Sequence, residues 1–330
     1  REAELERILQ MISDWVELAK QQTDATLLIS DIPRPVHGQA GLADAKLVLG
    51  EAEFYHQLNL RLQKMYLDDP RAHIFAMDQT LSCAGKIEAR DAKMYYLAKM
   101  EWTEKAQAAI ARELTKNIYT VLGRTKKCLV LDLDNTLWGG VVGEDGVDGL
   151  AIGEGSAHGE AFADFQHYIK ALKERGIVLA ICSKNNTQDA EDVFTSRDEM
   201  ILKLDDFYAV RINWQQKHLN IQEIAKELNI GTDSMVFVDD NPVECELVRQ
   251  MLPEVLTVEL SKDPSSHAAQ LKDIIVFEKH MLTAEDREKS ALYAQNAKRE
   301  SMKQNINDME SFYRSLGTEI TIEQVQDKHK

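Results

Sequence analysis

The stretch Lys127-Cys128-Leu129-Val130-Leu131-Asp132-Leu133-Asp134-Asn135-Thr136-Leu137-Trp138 is an apolar run that ends in two carboxylates one residue apart. A short continuous apolar run of this kind reads as a buried strand of a parallel sheet. In open α/β sheets the ligand crevice lies beyond the carboxyl ends of the strands, which is where Asp132 and Asp134 fall. Two acids this close repel each other unless a cation or a shared proton relieves them.

Downstream runs repeat the pattern. Ile177 to Cys182 ends in Ser183-Lys184-Asn185-Asn186, and Met235 to Val238 ends in Asp239-Asp240-Asn241-Pro242. Between them Lys217 follows the run Phe207 to Trp214. The order Asp-x-Asp-x-Thr, Ser, Lys, Asp-Asp resembles the four motifs of the haloacid dehalogenase (HAD) superfamily of phosphotransferases. The surrounding words, Asp132 to Gly140, Gly143 to Gly146, Ser183 to Asn185, Ile212 to Trp214 and Val238 to Pro242, resemble the FkbH-like family within it. The resemblance runs from about Asp91 to the end of the chain and is most specific over 126–260. It implies an α/β fold with a HAD-like Rossmannoid parallel sheet. It also implies an enzyme that loads a glyceryl unit from 1,3-bisphosphoglycerate onto an acyl carrier protein in polyketide assembly; the cytoplasm is the expected location because neither a membrane span nor a signal peptide is read in the sequence.

Composition bounds the rest. The 330 residues are 44% apolar and 28% charged, an ordinary globular balance long enough for a main domain and a smaller partner. No apolar run approaches a membrane span, and the N-terminus Arg1-Glu2-Ala3-Glu4 lacks a signal peptide's apolar region. The missing initiating Met suggests a piece of a longer chain. A net charge of −16 opposes nonspecific binding to nucleic acid or anionic membranes. An acidic carrier protein would therefore need a local basic patch, and Lys/Arg at 287, 289, 298, 299 and 303 are candidates, although a solvated helix face explains them more simply. Cys83, Cys128, Cys182 and Cys245 show neither metal spacing nor a secreted disulfide pattern.

Residues 1–123 read as an N-terminal α/β region, with helices at 2–20 and 52–66, strands at 25–30 and 72–77, and a long helical stretch in 91–122 striped by Ile110, Leu114 and Ile118. The alternation suggests part of a flavodoxin-like layer. The family resemblance implies an SGNH-hydrolase-like segment there, but no Gly-Asp-Ser nucleophile is present, and Asp91 has no assigned role. Residues 124–262 form the HAD-like core. Its loop Trp138 to Gly155 holds seven glycines, more than a tight turn requires, and should form a Gly-rich flap with a hairpin turn at Glu144 to Asp148. Gly176 and Gly231 read as helix stops, and Pro242 as a first-turn proline. Residues 263–330 read as a helical extension, with a capping box at Thr283 to Asp286 and a terminal strand at Thr318 to Ile322.

The resemblance implies that Asp132 is the nucleophile that forms an aspartyl-phosphate and Asp134 the general acid and base. Ser183 and Lys217 would hold the transferring phosphoryl. Mg²⁺ would sit on Asp132, the Asp134 backbone carbonyl and Asp239 or Asp240. Asn185, Asn213 and Trp214 are candidates for positioning substrate, whereas His158 and His167 read as surface or structural. Cys182, at a strand end beside Ser183, is the candidate acyl-carrying thiol, though alternation should point it into the core. A small-molecule phosphatase without a carrier partner and a noncatalytic docking module are the alternatives. A scaffold has no need of clustered acids, which weighs against the second.

Overall fold

A computed structural model describes residues 1–281, and its contacts divide the chain into two compact units. The capping box at 283–286, the terminal strand and the basic positions 287–303 lie outside the described residues.

The first unit spans Arg1–Thr125 with Glu278–His280. It contains α1 (Glu2–Gln22), β1 (Leu27–Ser30), α2 (Glu51–Met65), β2 (Ala72–Phe75), α3 (Met77–Ala84), α4 (Ala92–Ala98) and α5 (Glu104–Val121). β1 and β2 pair in parallel, Leu27 opposite Ala72, so the expected flavodoxin-like layer amounts to a two-stranded sheet among the described residues. Its core joins Leu5, Leu9 and Val16 of α1 to Leu58 and Leu62 of α2, the i, i+4 spacing that an amphipathic pair requires. The long helical stretch after 91 is two helices. Asp91 caps the first, its carboxylate accepting from the Met94 amide at 2.8 Å, and Lys99 ends it in the left-handed region. Of the expected stripe, Ile110 packs against a small cluster around Leu81 and Ala106, while Leu114 and Ile118 remain exposed.

The second unit, from Lys126, contains β3 (Cys128–Leu131), α6 (Val142–Gly149), α7 (Ala157–Glu174), β4 (Val178–Ser183), α8 (Thr187–Ser196), β5 (Ala209–Ile212), α9 (Lys217–Leu228), β6 (Met235–Asp239), α10 (Pro242–Met251), β7 (Leu256–Glu259) and α11 (His267–Lys272). The strands form one parallel sheet in the order β5-β4-β3-β6-β7, with β3 in the middle. Every residue of β3, β4 and β6 is buried, which is why those strands read as unbroken apolar runs. Alternation sends Cys128, Val130, Val178, Ala180 and Cys182 to one face, against Ile221, Ile224 and Leu228 of α9 and Val248 of α10.

Register sets the site. Leu131 lies opposite both Ile181 and Val238, so the next residues, Asp132, Cys182 and Asp239, share one level at the carboxyl edge. Two turn readings are corrected. Residues 142–149 are a helix kinked at Gly146 rather than a hairpin, because the Asp145 carboxylate accepts from the Val141 amide at 2.8 Å and starts a turn there. The hairpin-like element lies at its base, where Gly139 and Ala151 form an antiparallel bridge. α9 is closed by Asn229 at φ 52°, whereas Gly231 has an ordinary negative φ.

Candidate active site

Lys217 opens α9 with its side chain only 3% exposed and its ammonium held 3.0 Å from Asp132 Oδ2 and 2.6 Å from Asp239 Oδ2. Burial alone would push this ammonium down, but the two carboxylates outweigh it and hold the pKa well above the ordinary lysine range. The two carboxylates therefore favour the charged ammonium, which lies at the level where the strands end.

Around it stand three carboxylates. Asp132, Asp239 and Asp240 bring oxygen atoms within 4.8 Å of one another. Asp239 is fully buried, and burial and Asp132 push its carboxyl up against the pull of Lys217; the Asn241 amide donates to its Oδ1 at 2.9 Å. Asp240 is pushed up to about 6, first by burial and then by Asp132. The Oδ1 of Asp132 is buried and has no hydrogen-bond partner. A buried carboxylate oxygen without a donor is costly, and three converging acids with one shared lysine leave negative charge over. An all-oxygen donor set of this kind fits a hard divalent cation. Asp134 brings no side-chain oxygen into that trio, so any share it takes in a metal site is through its backbone.

The Asp134 side chain is instead fixed by three hydrogen bonds. Its Oδ1 accepts from the Trp138 indole at 2.9 Å and the Val142 amide at 3.2 Å, and its Oδ2 accepts from Asn185 Nδ2 at 3.0 Å. Burial nevertheless raises its pKa, those bonds opposing. A fixed carboxyl with a raised pKa in a cleft is suited to giving and taking a proton.

The cleft over these groups has a volume of about 890 Å³. Asp132, Asp134, Ser183, Lys184, Lys217 and Asp240 line its floor, and Gly139, Gly140 and Asp145 of the glycine-rich segment line it too. The remaining candidates separate. Asn185 is buried and acts on Asp134 and Ser183 Oγ, the latter at 3.3 Å. Asn213 and Trp214 do not line the cleft. The Asn213 side chain is used within its own turn, accepting from Gln215 N and Asn220 Nδ2 at 2.9 Å each, and Trp214 is 71% exposed and reaches Asn186. Cys182, the expected acyl carrier, does not line the cleft: its thiol lies in the core beside the Lys217 carbonyl oxygen, at 3.6 Å, and burial pushes its pKa up, which disfavours the thiolate. His158 and His167 are both exposed, and His158 also lines the cleft. Sequence reading missed Trp138, Glu244 and His267. Trp138 carried a signal, standing four residues after Asp134 in the motif word, but His267 carried none.

A search of solved structures matches the N-terminal part of the protein BF1531 from Bacteroides fragilis, which contains a phosphatase domain and was crystallised complexed with Mg. The identity is 34%, over 85% of this chain and 75% of that one, with a TM-score of 0.77. The cobalt-bound form of deoxy-D-mannose-octulosonate 8-phosphate phosphatase from Haemophilus influenzae matches at 16% identity over 52% of this chain and 96% of that one; its TM-score of 0.33 is too slight to bear on the fold. No protein-family model and no protein of curated function matches the chain. A third of the residues shared across most of both chains, on a parallel sheet with Asp132, Ser183 and Asp239 at its strand ends and Lys217 at the start of α9, shows that the chain belongs to the HAD superfamily of phosphatases.

Proposed function

We propose that the chain is a Mg²⁺-dependent phosphatase that works through an aspartyl-phosphate on Asp132. The observation that carries this is the buried Lys217 ammonium between Asp132 and Asp239 at the floor of the cleft, with Asp132 Oδ1 left free of donors. The Asp132 carboxylate attacks phosphorus, the bond from phosphorus to the leaving oxygen breaks, and the Asp134 carboxyl gives that oxygen its proton. Water then attacks the aspartyl-phosphate while Asp134 takes the water's proton, which frees phosphate and restores both acids. Lys217 faces the charge that gathers on the transferring oxygens, and Ser183 holds them. Asp132, Asp239 and Asp240 would hold Mg²⁺, which would supply the further positive charge that lets an anion approach an anion.

The finer reading rests on the FkbH-like motif words: the substrate is 1,3-bisphosphoglycerate and the acceptor of its acyl group an acyl carrier protein. None of the four cysteines lines the cleft. The carrier's own thiolate therefore attacks the acyl-phosphate carbonyl directly, forming the carbon–sulfur bond and expelling the acyl-bound phosphate; water then cleaves the remaining 3-phosphate ester by the Asp132 route, leaving a glyceryl thioester and a second phosphate. Intact-mass analysis of a carrier protein incubated with the chain, Mg²⁺ and 1,3-bisphosphoglycerate should show a glyceryl adduct; an unmodified carrier alongside steady phosphate release leaves a small-molecule phosphatase. For the phosphatase itself, Asp132→Asn should lower phosphate release about a thousandfold or more while the fold survives, and EDTA should do the same to the unaltered chain. A folded Asp132→Asn protein with undiminished release would sink the assignment.

A further inference from the structure

His267 is a buried group in the cleft that the phosphoryl chemistry leaves unused. It is 2% exposed and lines the same cleft as Asp132 and Asp134. Its Nε2 lies 2.7 Å from the Ser261 carbonyl oxygen. A carbonyl only accepts, so Nε2 carries the hydrogen. Burial holds the imidazole below its ordinary pKa, with that hydrogen bond and Asp263 opposing, so the ring is neutral and Nδ1 keeps a bare lone pair. This Nδ1 is buried and has no hydrogen-bond partner. The ring is fixed edge-on by Phe162 and Phe165, each with its centroid 5.6 Å away. A buried acceptor held in one orientation without a donor is uncommon, and in a ligand cleft it is the kind of polar group that sets ligand orientation.

Glu244 adds a second such atom. Its Oε1 takes the Lys184 ammonium at 2.6 Å, while its Oε2 is buried without a partner, and both residues line the cleft. Two spare acceptors call for a ligand that brings donors.

We propose, on the basis of the phosphatase reading above, that His267 Nδ1 accepts a hydrogen bond from a hydroxyl of the leaving group. The cleft thereby selects phosphate esters of hydroxyl-bearing alcohols over esters of alcohols with no second hydroxyl. His267 sets specificity and takes no part in breaking the phosphorus–oxygen bond.

A purely structural role, pinning the Ser261 loop, makes a different forecast. His267→Gln can still donate to the Ser261 carbonyl but presents no acceptor where Nδ1 stands, whereas His267→Asn places an amide oxygen near that position. With Mg²⁺ present, kcat/KM is measured for glycerol 3-phosphate, a hexose 6-phosphate and 3-phosphoglycerate, each against propyl phosphate. The unaltered protein should favour at least one hydroxylated ester, and which of the three it favours separates polyol, sugar and hydroxy-acid sources. His267→Gln should lower the ratio of that ester to propyl phosphate about tenfold, the worth of one hydrogen bond, and His267→Asn should restore part of it. A variant that slows both substrates alike, leaving the ratio unmoved, overturns the proposal, as does an unaltered protein with no preference. An unaltered protein that hydrolyses none of these esters overturns the phosphatase reading itself, and this inference with it.

Discussion

Lys217 spans two buried acids, and its removal leaves both without a counter-charge. Breaking a buried pair by deleting one partner costs about 3–5 kcal/mol, because the charge left behind remains desolvated. Lys217→Met should therefore lower the free energy of unfolding by about that much near pH 8 without Mg²⁺, as read by urea denaturation. Near pH 5 the deficit should shrink, since the stranded carboxyls can take up protons. An equal deficit at both values would mean that the lysine stabilises by packing and not by charge. Asp132, Ser183, Lys217 and Asp239 were legible because each follows an apolar run in a fixed order, and order along the chain becomes proximity at a parallel sheet's edge. Cys182 and Ser183 show the limit of adjacency. Neighbours on a strand face opposite ways, so one lines the cleft and the other lies in the core. His267 was illegible because its partners, Ser261 apart, come from α7, and nothing near 267 announces them.

α6 and its glycines test the cleft at the scale of an element. Gly140 has φ 102°, and a Cβ there would come within 2.7 Å of Asp145 Oδ2 and 3.2 Å of Leu150 Cδ2. The Asp145 oxygen it would strike is the one that starts α6 by accepting from Val141. Gly140→Ala should cost about 1–3 kcal/mol locally and displace this wall of the cleft, lowering phosphatase kcat/KM about tenfold. Amide hydrogen exchange over 139–151 should quicken in step. Gly143→Ala is the control, since a Cβ there meets nothing within 4 Å, and it should change neither. A wild-type rate in Gly140→Ala would detach the segment from catalysis. The helix itself could not be foreseen, since glycine opposes helix by about 1 kcal/mol and the bond that starts this one comes from a side chain. The core strands needed no such device, because buried runs declare themselves by composition. In α5 the apolar stripe was read correctly as a pattern, but a pattern does not say what covers it, and Leu114 and Ile118 stay exposed.

At the scale of the molecule, all the cleft residues fall between Asp132 and His267, within the second unit, and Asp132, Asp134, Asp145, Asp240 and Glu244 gather acidity there. That concentration makes stability and metal binding depend on pH in opposite senses. The Asp240 carboxyl moves from an ordinary 3.8 up to about 6 in the folded protein, burial being the first cause and Asp132 the second. Between those values the folded state holds a proton that the unfolded chain has lost. Its stability without metal therefore falls as pH rises through the window. Mg²⁺ needs the carboxylate, so its binding strengthens as the same proton leaves. Asp239, whose carboxyl is also pushed up, acts in the same direction. The rise in melting temperature on adding Mg²⁺ should then be small near pH 5 and large near pH 8, measured by scanning fluorimetry at constant ionic strength. Asp240→Asn should raise the melting temperature without metal, by removing one of the repelling charges, and should flatten the dependence of the Mg²⁺ effect on pH. If the unaltered chain gains equally from Mg²⁺ at both ends of that range, the metal is not bound by these carboxylates, and the positive charge that the phosphatase chemistry needs must come from elsewhere.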